Sequence, residues 1–256
     1  MRIHERLDSL PLSSFHWKLV TASGLGWMFD ALDSGIVSFV LAVLVKEWAL
    51  TPDQVGSIGS IGLVGMFAGA VLVGALADRY GRKTLFQATL AIFSVATGLC
   101  GLAQGYLSLL AMRFLVGFGL GGELPVASTL VSEFSPKAHR GKLVVVLESF
   151  WAFGWALAAV VAYLLIPRFG WRFAFFLGSL PVLYVLYLRR AVPESPRFLE
   201  SAGRFDEAAA VVRGVEDECG QAHEPLEPTR AQARAGSAKE RFLALWSPEF
   251  SRRTAM

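Results

Sequence analysis

Before residue 190 the chain is written in six long apolar blocks, near 19–45, 54–77, 84–104, 107–132, 143–166 and 171–189. Runs of about 20 apolar residues match the hydrocarbon thickness of a bilayer. Lipid offers no water to satisfy backbone N–H and C=O groups, so each block reads as a helix and an open strand is excluded. Composition agrees: 54% of the 256 residues are hydrophobic and the mean hydropathy is +0.49. A water-soluble domain rarely averages so high, because polar residues must cover its surface. The fold expected is an all-α membrane protein, with a cytoplasmic segment over 1–18 and six transmembrane helices over 19–190. A cytoplasmic loop follows over 191–256. In it FDEAAAVVR, 205–213, suits a short amphipathic helix, and 220–238 reads as a linker.

Basic residues set the expected orientation. Arg2, Arg6 and Lys18 precede the first block, and Arg79, Arg82 and Lys83 lie between the second and third. Lys137, Arg140 and Lys142 lie between the fourth and fifth, and Arg189 and Arg190 follow the sixth. The alternate loops hold Lys46, Arg168 and Arg172. The richer set is read as cytoplasmic, together with both termini. The N-terminal stretch lacks the short apolar core and small-residue cleavage site of a secretory signal. The net charge of +3 is scattered over span ends and forms no stripe for nucleic acid. His4, His16, His139 and His223 are scattered too, with no metal spacing and no nucleophile–base pair, so an enzyme is not expected and no cofactor is implied. Cys100 and Cys219 are too far apart, in a reducing compartment, to suggest a disulfide.

The stretch WMFDALDSGIVSF, 27–39, puts Asp30 and Asp33 inside an apolar run. An ionised carboxylate near a span centre costs about 2.5–3.5 kcal/mol on an insertion scale. Water in a cavity, a cation or a bound proton would each relieve that cost. The i, i+3 spacing puts both acids on one helix face, where they are expected to look into one cavity. Asp30 lies about 16 Å into its span, near mid-membrane. Block four carries Arg113 and Glu123, about 15 Å apart along a helix and unable to pair with each other. Arg113 has two readings: it attracts an anionic substrate through its forked donors, or it ties its helix to Asp33. Glu123 is a further candidate proton carrier. Trp151 and Trp155, at i and i+4, share a face on which a flat ring can stack. Glycines crowd block two, where small residues allow close helix contact. The stretch GFGLGG, 117–122, has the letters of a dinucleotide fingerprint, but no strand precedes it, so its glycines also read as close contacts.

Three stretches carry a resemblance. GALADRYGRKT, 74–84, resembles the loop signature of the major facilitator superfamily. RFLVGFGLGGELPVASTLVSEFSPKAHRG, 113–141, is similar to the fourth span and following loop of its sugar-porter-like members. PESPRFLESAGRFDEA, 193–208, resembles the segment after their sixth span, where short cytoplasmic helices occur. FDALDSG resembles the first-span acidic motif of aromatic-acid/proton symporters, with Ala31 in place of a glycine. Taken with PESPRFL and Glu123 it looks closer to the niacin transporters.

The resemblance implies one half of a twelve-span fold, built from two inverted three-helix repeats. RYGRK at 79–83 and RFGWR at 168–172 are a faint echo of such a repeat. It implies a secondary transporter for a small organic solute, with an organic acid such as nicotinate favoured, working by alternating access and coupled to protons through Asp30, Asp33 and Glu123. Arg113, Trp151 and Trp155 would touch substrate. Asp78, Arg79, Arg82, Glu133, Arg140 and Glu148 would form a cytoplasmic charge network that gates. The chain ends at LWSPEFSRRTAM, where a seventh span would begin. The implied partners are therefore protons, the small solute, the bilayer and either a C-terminal half or a second copy. A non-transporting membrane sensor on the same fold, and a carrier of sugars or other aromatic acids, remain as alternatives.

Overall fold

The computed structural model describes residues 2–223 and 225–227; the side chains of Asp78, Leu124, Leu186 and residues 188–191 lie outside that description. The linker expected beyond 227, the start of a seventh span, Asp78 and the Arg189–Arg190 pair therefore lie outside the described side chains or residues. Ten helices are present among the described residues. They are α1 (Ile3–Ser9), α2 (Ser14–Glu47), α3 (Pro52–Tyr80), α4 (Arg82–Cys100), α5 (Tyr106–Phe134), α6 (Arg140–Phe169), α7 (Trp171–Gly178), α8 (Pro181–Ala191), α9 (Pro196–Ser201) and α10 (Phe205–Cys219).

Five of these, α2 to α6, are long and apolar enough to cross a membrane, and a shorter apolar helical stretch covers Trp171–Val185. The helix ends follow local chemistry. Thr51 Oγ1 accepts from Gln54 N at 3.4 Å while Gln54 Oε1 accepts from Thr51 N at 3.0 Å, and Pro52 opens α3. This reciprocal cap with proline in the first turn fixes where the second span begins. Gly81, at φ 98°, reverses the chain between α3 and α4, a conformation that L side chains resist.

Two expectations are corrected. The sixth span, read as continuous over 171–189, is broken at Ser179–Leu180, between α7 and α8. Pro181 has no N–H to continue the ladder and starts a new helix instead. The segment 1–18 is more than a polar lead-in: α1 has Ile3 and Leu7 fully buried, and α2 already begins at Ser14.

The most extensive helix interfaces are α3 with α5 and α2 with α6, followed by α4 with α5. Exchanging the first three spans for the second three turns the α3–α5 pair into the α6–α2 pair. That is the packing expected of two repeats of one three-helix unit. Glycine makes the α3–α5 interface close. A Cβ at Gly65 or Gly69 would strike the backbone of Phe114 or Phe118, and one at Gly117 or Gly121 would strike the backbone of Gly62 or Met66. Gly56 and Gly74, on the same helix α3, face open space. The interface thus depends on particular glycines and not on glycine content.

Overpacking of this kind costs about 1–3 kcal/mol. Gly117→Val should therefore lower the thermal midpoint of the protein in detergent by several degrees, whereas Gly56→Ala should leave it unchanged or raise it. Equal midpoints for the two variants would mean that the α3–α5 contact is not close.

Candidate functional site

Inside the bundle, α2, α4 and α5 bring three polar side chains together. Arg113 Nη1 donates to Asp33 Oδ2 at 2.7 Å, and Thr97 Oγ1 donates to Asp33 Oδ1 at 2.8 Å. Asp33 is fully buried and Arg113 nearly so. A lone charge here would be intolerable, while a paired one with each carboxylate oxygen hydrogen-bonded is tolerated. Sequence reasoning left open whether Arg113 ties α5 to Asp33; the structure makes that bond. Thr97 was missed, since a threonine in an apolar span carries no signal of its own.

The guanidinium is not used up. Its Nε is buried without a hydrogen-bond partner. A cavity of about 180 Å³ between α2, α3 and α5 is lined by Arg113, Ser34, Ser38, Gly59, Gly62 and Gly117, among others. A Cβ at Gly62 would come within 3.9 Å of Arg113 Nη2, so the missing side chain leaves that nitrogen room. Arg113 therefore grips Asp33 through Nη1 and is also one of the residues lining that cavity.

Asp30, one turn before Asp33, meets a different group. It and Glu123 of α5 are fully buried neighbours, and none of their four carboxyl oxygens has a hydrogen-bond partner among the described residues. Glu123 Oε1 lies against the backbone of Gly26, where a Cβ would come within 2.5 Å of it. Asp30 and Asp33 thus meet different neighbours, Glu123 and Arg113. A three-residue step leaves them about 60° apart around the helix, enough to aim one at Glu123 and the other at Arg113.

Trp151 packs on Trp27, ring centroids 4.5 Å apart, and is half-buried. Trp155 is more open, at 39% exposed, and lies beside Gly35 of α2.

The end of the bundle that carries α1, α9 and α10 holds a charge network. Arg82 Nε donates to Glu133 at 3.1 and 3.2 Å, and Ser195 Oγ donates to the same carboxylate at 2.5 Å. Glu194 Oε1 accepts from the backbone N–H groups of Arg82 and Lys83 at 2.9 and 3.0 Å, capping the N-terminus of α4. So PESPR binds the loop motif through Glu194 and the end of α5 through Ser195, and Gly81 is required beside it because a Cβ there would meet Glu194. Arg140 pairs with Asp8 and donates from Nε to Ser132 O at 2.9 Å. Arg6 Nε donates to buried Glu216 at 2.5 Å, joining α1 to α10.

Of the residues expected in that network, Arg82 and Glu133 do pair. Arg140 joins Asp8 and not Glu133 or Glu148. Glu148 is exposed and enters no ion pair among the described residues, because its position on α6 points it outward. Arg79 is exposed, its guanidinium 5.4 Å from the Tyr80 ring centre. Asp8, Glu194, Ser195 and the Arg6–Glu216 pair were missed. The glutamate and serine stood inside the motif already quoted, whereas partners more than 130 residues apart leave no local trace.

Comparison with known proteins fits this geometry. Residues 22–256 match the family described as sugar (and other) transporters. The chain is 49% identical over 256 residues to the niacin transporter NiaP of Acinetobacter baylyi, covering 100% of this chain and 58% of that protein. It is 51% identical over 181 residues to a putative niacin/nicotinamide transporter NiaP of Bacillus subtilis, 71% of this chain and 45% of that protein. The xylose transporter XylE of E. coli, solved in a partially occluded inward-open conformation, superimposes with a TM-score of 0.71 at 22% identity, over 79% of this chain and 54% of that one. The chain belongs to the sugar (and other) transporter family of the major facilitator superfamily. It spans about half the length of the curated relatives it matches.

Thr97→Val removes the donor to Asp33 Oδ1 and leaves a buried carboxylate oxygen unsatisfied, a cost of about 1–3 kcal/mol. The variant should unfold at a lower temperature or denaturant concentration than wild type, and Thr97→Ser should recover most of the loss. A valine variant as stable as wild type would show that the bond contributes nothing.

Proposed function

We propose that this chain forms half of a secondary transporter that moves a small organic acid, nicotinate favoured, across a membrane by alternating access, with protons as the coupling ion. The observation that carries the reading is Arg113: a buried, ion-paired guanidinium whose Nε has no hydrogen-bond partner among the described residues and whose residue also lines a cavity. A forked planar cation suits a planar carboxylate. The similarity to niacin transporters supplies the choice of nicotinate. Trp155, partly exposed on α6, is the side chain offered for stacking on an aromatic ring.

A buried acid that gains and loses a proton couples the cycle to the membrane potential. One charge moving through 100 mV is worth about 2.3 kcal/mol, or about fifty-fold accumulation. A further six-helix half, or a second copy, would complete the cavity wall. The bonds joining Arg82, Glu133 and Ser195, and Arg140 to Asp8, hold one end of the bundle together; in this reading they mark its cytoplasmic side and separate or re-form as the halves rock.

Arg113→Lys keeps the charge but loses the fork. With the full-length gene product in lipid vesicles, uptake of labelled nicotinate should fall about tenfold or more in kcat/KM, the equivalent of about 1.4 kcal/mol, with little change in thermal midpoint. Unchanged uptake kinetics would remove Arg113 from the substrate site. Binding of nicotinate without accumulation by wild type would favour a sensor.

A further inference from the structure

We infer that the cavity between α2, α3 and α5 takes a planar heteroaromatic carboxylate, with Arg113 at its acid group, the Ser34 hydroxyl donating to an acceptor atom of the ring, and Gly59 leaving the ring its room. The inference rests on the organic-acid reading above and adds to it the side chains by which one aromatic acid is told from another.

A hydroxyl with a spare proton is the first sign. Serines in these helices commonly fold back on a carbonyl of the preceding turn. Ser38 donates to Ser34 O at 3.2 Å, Ser57 to Asp53 O at 2.6 Å, Ser60 to Gly56 O at 2.8 Å and Ser94 to Leu90 O at 2.6 Å. That local bond is what a serine in an apolar helix falls back on when nothing else is offered. The half-buried Ser34 does not make it, and its hydroxyl has no hydrogen-bond partner among the described residues. Ser34 lines the cavity, as does Ser38 one turn further along α2. The Ser38 proton is committed to its own helix, so toward the cavity that oxygen can only accept. Ser34 is thus the hydroxyl with a proton left to give.

A glycine without a packing reason is the second. Gly117, in the α5 wall of the cavity, is held to glycine by its neighbour, because a Cβ there would strike the backbone of Gly62. Gly59, in the α3 wall, is not: a Cβ there would meet no atom within 4 Å. Glycine is a poor helix former, so a helix keeps one at some cost. At position 59 no protein neighbour requires it, and what the missing side chain preserves is space in the cavity. Gly62 follows at i+3 on the same face, so this part of α3 presents bare backbone to the cavity.

Arg113 supplies the third. It is 6% exposed, lines the cavity, and its Nε is buried without a partner. Apart from Arg113, the two serines and the three glycines, the lining is apolar, with Leu41, Leu63 and Met66 among it. A smooth apolar wall, one guanidinium and one hydroxyl donor ask for a flat apolar body carrying a carboxylate and a second acceptor. A pyridine nitrogen is such an acceptor and is unprotonated at neutral pH. The C–H group that replaces it in a carbocyclic acid accepts nothing, and on binding it would cover the Ser34 hydroxyl without bonding it. The pair of donors therefore selects a heteroaromatic acid over a carbocyclic acid of the same shape.

Equilibrium binding of nicotinate and of benzoate to the full-length gene product in detergent tests this. Wild type should hold nicotinate about threefold to tenfold more tightly than benzoate, the worth of one net hydrogen bond. Ser34→Ala should bring the two affinities together by weakening nicotinate and sparing benzoate, and Ser34→Thr, which keeps the hydroxyl, should recover the preference. Gly59→Ala should weaken both acids, by about tenfold, while the thermal midpoint stays unchanged or rises, a combination that a packing glycine would not give. Equal affinities in wild type, or a preference that survives Ser34→Ala, overturn the inference; with nicotinate still accumulated in vesicles, the transport reading stands. Gly59→Ala binding both acids like wild type overturns the part played by Gly59. If Ser34→Ala does not fold, the wild-type ratio decides by itself. Wild type that binds neither acid contradicts the organic-acid reading and this inference with it.

Discussion

The bond between Asp33 and Arg113 is the constraint on which the rest of the bundle depends. It joins α2 to α5 at a depth where neither charge is acceptable alone, and Thr97 draws α4 into the same junction. Apolar packing between helices is weakly directional in lipid, because side chains and lipid tails are alike. A buried ion pair is directional: it fixes rotation and height for both helices at once. The glycines of α3 and α5 then allow the backbones to meet closely beside it.

From that junction the functional chemistry is ordered along α2. Toward one side lies the cavity that Arg113 also lines. One turn away lie the neighbouring carboxyl groups of Asp30 and Glu123, with no hydrogen-bond partner among the described residues. At the end of the bundle, PESPR fastens the α3–α4 reversal through Glu194 and α5 through Ser195, and α1 clamps α10 through Arg6 and Glu216. Local folding thus ties the motif stretches to one another.

Much of this was legible in the sequence, for physical reasons. Bilayer thickness dictates block length, so six apolar blocks could be found by eye, and buried acids announce themselves by their cost. The i, i+3 spacing of Asp30 and Asp33 gives the same side of a helix but not the same partner, so their separation needed coordinates. The break before Pro181 was hidden because proline also opens helices. Glu148 is exposed and enters no ion pair among the described residues, since depth along a helix says nothing of the face. Seven residues, Ile3–Ser9, form a helix too short to show a period and gain their order from docking on α10 and α5.

A double-mutant cycle on Asp33 and Arg113, read by unfolding of the full-length protein in mixed micelles, tests the central claim most directly. Asp33→Asn and Arg113→Gln should each destabilise by about 3–5 kcal/mol, since each strands a buried charge. The double variant should cost clearly less than their sum. Losses that add within about 0.5 kcal/mol would mean the two residues do not act as a pair, and would contradict the account.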